Sequence, residues 1–147
     1  PEKRRLAMAG IDMQNAKFAA LLAPISVNGT AATTTELDTA GYDYCTIVVQ
    51  AGSLGATMDE LSLTDSDTAG SGHAAITGGT WTDPVGTTDN GKVYAAFIDL
   101  RKRKRYLKLV ADPGAGATVI SAVAILTRAE VTPTSATERG LGEQLII

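Results

Sequence analysis

Short stretches of this chain alternate between apolar and polar residues, which is the pattern of β-strands that bury one face. The clearest stretch spans residues 41–52, and both of its sides are mostly uncharged. A strand of that kind is predicted to lie in the middle of a sheet or sandwich. One side carries Cys45, Ile47, Val49 and Ala51, and the other carries Tyr44, Thr46, Val48 and Gln50.

Four later stretches are also predicted to be strands, at residues 57–64, 93–100, 106–111 and 118–127. Short turn sequences join the last three, and no crossover helix fits between them. These three strands are therefore predicted to form an antiparallel meander. In that arrangement a cluster of basic residues makes a hairpin tip between the first two of the three strands.

The N-terminal part of the chain shows a different spacing. Ile11, Phe18, Leu21 and Leu22 can lie on one helical face before Pro24 ends the segment. The pattern predicts a short helix or a loosely ordered arm, whose apolar stripe covers either a partner or the protein's own core. Phe18, Leu21 and Leu22 are therefore candidate interface residues.

The C-terminal part, residues 128–147, is polar until it finishes with Leu145, Ile146 and Ile147. Three apolar residues after a polar linker predict an extended arm that packs against another surface or back on its own domain. These three residues are the second group of candidate contacts.

The predicted fold class is all-β: an antiparallel β-sandwich or jelly-roll-like domain with a short N-terminal helix or arm and an extended C-terminal tail. The predicted boundaries are residues 1–24 for the first arm, 25–127 for the sandwich and 128–147 for the last arm. Composition agrees, because aromatic residues make up 5% of the chain and Gly, Ala, Thr, Ser and Val dominate it. Such a composition favours short strands and many turns over a helical bundle.

Charge is strongly segregated along the chain. Five of the 13 basic residues are consecutive, whereas residues 18–91 contain no Lys or Arg. Like charges this close repel, so the run is stable only if it is solvated in a turn or matched by an acidic surface. The net charge of −3 and the scarcity of aromatic residues nearby argue against a nucleic-acid partner. We call this run the basic segment: Arg101, Lys102, Arg103, Lys104 and Arg105.

Residues that could support catalysis or bind a metal are few. The single cysteine, Cys45, and the single histidine, His73, provide neither a disulfide framework nor a zinc-ligand cluster. Asp65, Asp67 and Gly70 match part of a calcium-loop pattern, but the pattern lacks its final glutamate. No nucleophile elbow or phosphate-binding loop is present. The chain is predicted not to be an enzyme and to need no cofactor or metal.

No apolar stretch approaches membrane-spanning length, and polar residues interrupt the apolar part of the N-terminus. The expectation is a soluble protein that is made in the cytoplasm and has no membrane partner.

Five short motifs follow one another along the chain. They are Gly41-Tyr42-Asp43, residues 61–67, Thr80-Trp81-Thr82-Asp83, Lys104-Arg105-Tyr106-Leu107-Lys108, and residues 119–126. With these motifs in this order, residues 20–127 resemble a family of small head proteins of tailed bacteriophages, which act as capsid cement or decoration proteins.

The resemblance implies a sandwich or jelly-roll-like domain that binds the outside of a shell of major capsid protein and ties neighbouring capsomers together. The implied location is the capsid exterior of a virion, and the implied assembly is a homo-oligomer, a dimer or a trimer. The basic segment and the two terminal groups are then the predicted contacts. The alternative function is a carbohydrate-binding sandwich, which would use Trp81, Tyr42 and Tyr44 as stacking faces.

Overall fold

Two four-stranded antiparallel sheets pack face to face in the computed structural model, which describes residues 12–84 and 86–145. Within these residues, two 3₁₀ helices, Asp12–Asn15 and Leu100–Lys102, accompany the strands. The strands are β1 (Lys17–Val27), β2 (Leu37–Asp38), β3 (Tyr42–Leu54), β4 (Glu60–Ser66), β5 (Ala74–Thr80), β6 (Val93–Asp99), β7 (Tyr106–Asp112) and β8 (Thr118–Ala129).

The strand order is β1-β8-β3-β6 in one sheet, here called sheet A, and β2-β7-β4-β5 in the other, sheet B. The pairing is nested, because the first strand pairs with the eighth, the second with the seventh, the third with the sixth and the fourth with the fifth. This is the topology of an eight-stranded jelly roll. The prediction of an all-β sandwich is confirmed.

The core lies between the sheets and follows the alternation seen in the sequence. On β3, Cys45, Ile47, Val49 and Ala51 are each 1% exposed or less, and this strand lies between β8 and β6 as predicted. The facing sheet contributes buried residues from β4 and β7. These are Leu61, Leu63, Leu107, Leu109 and Ala111.

The predicted meander is wrong. β6 and β8 both belong to sheet A but are separated by β3, and β7 belongs to sheet B. Alternation shows which side chains face the core, but in a jelly roll two successive strands can face the same core from opposite sheets. The basic segment is therefore a crossover between the sheets at one end of the sandwich and not the tip of a hairpin.

The predicted N-terminal helix is also wrong over residues 17–23, where the chain forms β1. Leu21 and Leu22 are 1% and 6% exposed and pack in the protein's own core, the alternative that the sequence left open. Register shifts after Ala20 and Leu22 explain the misleading spacing, because a bulge turns two successive side chains to one side. β1 also runs across the boundary predicted at residue 25. Ile11 lies outside the described residues.

The C-terminal segment folds back on the start of β1. The backbone N–H of Phe18 donates to the carbonyl oxygen of Arg139, and a Cβ at Gly140, where φ is +75°, would overlap the carbonyl oxygen of Phe18. The Arg139 side chain is buried and donates to Gln14, Pro133, Thr134 and Gln144. Residues 133–144 are thus held to the domain.

Candidate functional site

The central part of the outer face of sheet A is uncharged. Side chains directly opposite each other on neighbouring strands lie side by side on one face of the sheet. The pairing therefore places two rows across all four strands, and neither row contains a charged residue. The rows are Phe18, Ile125, Thr46 and Phe97, then Ala20, Val123, Val48 and Ala95.

Several of these apolar side chains are exposed to solvent. Phe97 is 83% exposed and Val123 is 40% exposed, and Val93 at the end of β6 is 57% exposed. Isolated apolar residues on a surface are normal, but a contiguous apolar patch marks a binding surface. We call the two rows together with Val93 the apolar face.

Polar residues border this face at its two ends. At one end Tyr44 is flanked by the guanidinium groups of Arg101 and Arg128, which lie 5.0 and 5.6 Å from the centre of its ring. At the other end the next row contains Gln50 and Ser121. A partner on the apolar face would therefore meet an uncharged centre with a polar border, which is the usual composition of a protein interface.

The basic segment is largely neutralised within its own chain. Arg101 donates to both carboxylate oxygens of Asp99 at 2.9 Å, and Arg105 donates to both carboxylate oxygens of Asp38 at 2.8 Å. Arg103 approaches Asp65 at 3.8 Å. Three of the five cations in the basic segment thus have acidic partners in the same molecule.

Lys102 and Lys104 are the two members of the basic segment whose side chains have no ion-pair partner among the described residues. Both are exposed. Contact of the basic segment with another protein stays a prediction, and these two lysines are the members that could make it without breaking an existing pair.

The two bidentate pairs stabilise ionised carboxylates. Hydrogen bonds from Arg105 hold the pKa of Asp38 at about 2, and those from Arg101 hold the pKa of Asp99 at about 2. Partial burial opposes both shifts without cancelling them. Both carboxylates therefore remain charged at any pH above about 4, the ordinary pKa of an aspartate.

These depressed pKa values predict acid sensitivity. A carboxyl group whose pKa is lower in the folded state stabilises the fold fully above its ordinary pKa of about 3.9, and that stabilisation is lost as the pH falls toward 2. We expect the melting temperature to fall between pH 4 and pH 2 by a few degrees less in an Arg101→Gln, Arg105→Gln double variant than in the natural sequence. If the melting temperatures of the two proteins fell equally between pH 4 and pH 2, the two ion pairs would contribute nothing to stability.

Two of the three aromatic residues proposed for sugar stacking, Trp81 and Tyr44, make separate contacts within the chain. Trp81 is half-buried, packs against the core and donates its indole N–H to the carbonyl oxygen of Ala95 at 3.2 Å. Tyr44 pairs with Asp99 on the outer side of sheet A, and its hydroxyl accepts a hydrogen bond from Arg101. Trp81 and Tyr44 are therefore not arranged side by side to stack on one sugar ring.

The candidate reactive side chains have structural partners. Burial raises the pKa of the Cys45 thiol to about 12, so the group is protonated at neutral pH and is not a nucleophile. His73 Nε2 lies 2.9 Å from a carboxylate oxygen of Glu36 at ion-pair distance without forming a hydrogen bond. The same oxygen accepts the N–H of Gly70 and ties the β4–β5 loop to the segment before β2.

Asp65, the first residue of the partial calcium-loop pattern, is buried, and its carboxylate lies 3.8 Å from the guanidinium of Arg103 in the basic segment. Within residues 12–84 and 86–145, no group of three or more His, Cys, Asp or Glu side chains is placed to hold a metal ion. In the same part of the chain, no helix has the length and apolar character needed to cross a bilayer.

Of the residues predicted as contacts, Phe18 lies on the apolar face, and Leu145 is 81% exposed near the end of the described chain. Ile146 and Ile147 lie outside the described residues. Phe97, Val93 and Val123 were not among the predicted contacts, because β6 and β8 were predicted only as apolar strands. A signal was present, since both sides of β6 are apolar and only one side can face the core.

A scan against models of protein families and a search among curated proteins each find no match to this chain.

Proposed function

We propose that this protein is a structural cement, or decoration, protein that binds the outside of an icosahedral shell of major capsid protein. The observation that carries the proposal is the apolar face of sheet A, which is exposed while the core between the sheets is complete. A face of this kind is suited to bind another protein and not to perform chemistry. The proposed site on the virion is the capsid exterior.

The size of the apolar face suits a subunit that acts in many copies. Four strands spaced about 4.8 Å apart and about five residues long cover roughly 300–400 Å². One side of a stable protein interface buries about 800 Å². The apolar face is therefore about half of a stable contact, and repeated binding over a shell multiplies such modest contacts.

The remaining contact area is available at the borders of the face and at the chain end. Lys102 and Lys104 add positive charge beside the Arg101 end of sheet A, and Leu145 adds an exposed apolar side chain. A capsid surface that combines an apolar patch with acidic residues would match this arrangement. The major capsid protein is the partner that the sequence resemblance implies.

Lysine substitution at Val123 tests the proposal. Val123 lies in the centre of the apolar face, on β8, and a charge there would have to be desolvated on binding. We expect Val123→Lys to weaken co-sedimentation with cement-free capsid shells at least about tenfold, which corresponds to about 1.4 kcal/mol.

The matched control is Val131→Lys, because Val131 is 83% exposed and lies beyond β8. This variant should bind shells as the natural sequence does. Natural binding by Val123→Lys, or failure of the unaltered protein to bind any capsid shell, would contradict the proposal.

A further inference from the structure

Strand β6 is an edge of sheet A, and the indole N–H of Trp81 donates to the carbonyl oxygen of Ala95 on its outer side. Lys92 directs its carbonyl oxygen toward β3, where it accepts the N–H of Ala51 at 2.9 Å. Successive residues of a strand direct their backbone groups to opposite edges in an antiparallel ladder. The N–H and C=O groups of Val93, Ala95 and Phe97 therefore point away from β3. The hydrogen bond from the indole N–H of Trp81 to the carbonyl oxygen of Ala95 agrees with this orientation.

The other edge strands of the two sheets are protected against pairing. β1 contains Pro24 and two register shifts, and the N–H of Phe18 is satisfied by Arg139. β2 is only two residues long, and β5 has an irregular pairing with β4 and a left-handed Gly78. Bulges, prolines and short length are the usual devices that prevent edge strands from pairing with another chain.

β6 has none of these devices. It is seven residues long, pairs with β3 without a register shift and contains no proline. Its first charged residue is its last residue, Asp99, and the side chains of Val93 and Phe97 are 57% and 83% exposed. A long, regular and apolar edge is a template for another strand.

We propose that β6 pairs antiparallel with β6 of a second copy of this chain across a two-fold axis centred on Ala95. Two copies of sheet A would then form one eight-stranded sheet. In this register Ala95 faces Ala95 of the partner subunit, and Val93 faces Phe97 of the partner subunit. Each dimer would present two apolar faces side by side.

The register follows from which residues direct their backbone N–H and C=O groups away from β3. Only such residues can pair across the axis, so the axis can move only by whole residues along the strand. An axis at Ala96 would place Val93 opposite Asp99, and an axis at Tyr94 would place Phe97 opposite Gly91. The axis at Ala95 makes all three outward pairs apolar.

Charge favours a second copy as the occupant of this edge. Across a two-fold axis each residue near the axis meets itself or a close neighbour, so a charge in the middle of β6 would face a like charge. The stretch 93–98 has no charge to oppose this contact. The bond from Trp81 does not block it, because a carbonyl oxygen can accept two hydrogen bonds.

Analytical ultracentrifugation of the isolated protein with two lysine variants tests this dimer. Ala95→Lys places like charges opposite each other at the axis and is expected to raise the dissociation constant of the dimer at least about tenfold. Val123→Lys places the same charge on the apolar face two strands from the edge, and it should leave the dimer intact. The unaltered chain is expected to approach twice its mass of 15.2 kDa as concentration rises.

Disulfide trapping tests the register and does not depend on the lysine variants. Paired residues in such a ladder lie about 5.5 Å apart between Cα atoms, within the range of a disulfide. Ala95→Cys should therefore form a cross-linked dimer on mild oxidation. Val93→Cys should not, because two copies of residue 93 would be offset by four residues, about 13 Å. The natural Cys45 is 1% exposed and serves as an internal control.

A monomer at every concentration would overturn this inference. So would a dimer that Val123→Lys dissociates and Ala95→Lys does not, or equal cross-linking of the two cysteine variants. Shell binding is measured with the other variant pair, Val123→Lys and Val131→Lys. Failure of the dimer and failure of the cement function are therefore distinguishable.

Discussion

Replacing Ile47 with alanine is expected to lower the free energy of unfolding by about 4 kcal/mol, near the top of the range for isoleucine truncation. Ile47 is fully buried at the centre of β3. Its neighbours across the sheet on β6 and β8 are Ala96 and Ala124, and the next residue along the row is Ala19. Ile47 is therefore the one large side chain in its row, and no neighbour in that row can fill the space it leaves.

The measurement is chemical denaturation together with a thermal melt. A loss of about 4 kcal/mol should lower the melting temperature by roughly 10 °C for a domain of this size. Ile47→Val is the matched control, because it removes a single methyl group and should cost about 1 kcal/mol. Similar losses for the two variants would show that the core closes over the cavity or that Ile47 carries little of the packing.

Replacing Arg139 with alanine is expected to lower the free energy of unfolding by about 3 kcal/mol, or to release the C-terminal segment from the domain. The buried guanidinium donates to four carbonyl-type oxygens, which come from Gln14, Pro133, Thr134 and the side chain of Gln144. Removing a buried donor leaves its acceptors without partners, and hydrogen bonds that involve a charged group are the stronger ones.

Limited proteolysis combined with a thermal melt separates global loss of stability from local release. Cleavage within residues 130–145 at an unchanged melting temperature would indicate release of the segment alone. Arg139→Lys is the conservative control, since it keeps the charge but loses the planar fork, and an intermediate result is expected. A melting curve and a digestion pattern like those of the natural sequence would mean that Arg139 does not hold the segment.

Five of the eight strands in the described part of the chain were accessible from the sequence. Residues 41–52, 57–64, 93–100, 106–111 and 118–127 were predicted as strands, and they overlap β3, β4, β6, β7 and β8. β1 was predicted as a helix or arm, and β2 and β5 were not predicted. The reason is local, because the alternation of side chains in a strand has a period of two and can be read without knowing the partner. On β3 the same alternation placed Cys45, Ile47, Val49 and Ala51 on one side, and this side faces the core.

The error at the N-terminus shows where a local pattern misleads. Leu21 and Leu22 are both buried because register shifts flank Leu22 in the pairing of β1 with β8. Two adjacent apolar residues in a strand break the alternation, and with Phe18 they imitate a helical stripe. The shifts depend on a strand nearly 100 residues further along the chain, so the local spacing could not reveal them.

The candidate binding surface depended even more on distant residues. Arg105 is paired with Asp38, which is 67 residues away in the chain, so its counter-charge could not be found from the local sequence. The apolar face joins residues of β1, β3, β6 and β8, whose outward sides become neighbours only when the nested pairing is formed. The apolar residues on both sides of β6 are visible in the sequence, but the sequence does not show that one of these sides stays exposed to solvent.

The sequence by itself therefore determined that the chain is all-β and where β3, β4, β6, β7 and β8 lie, since both depend on the spacing of nearby residues. The tertiary structure alone decided which strands pair, which sheet each joins, where the basic segment finds its counter-charges and which apolar side chains are left exposed. Pairing is decided by the packing of the whole chain, because one strand pattern is compatible with many partners until all eight strands must share a single core.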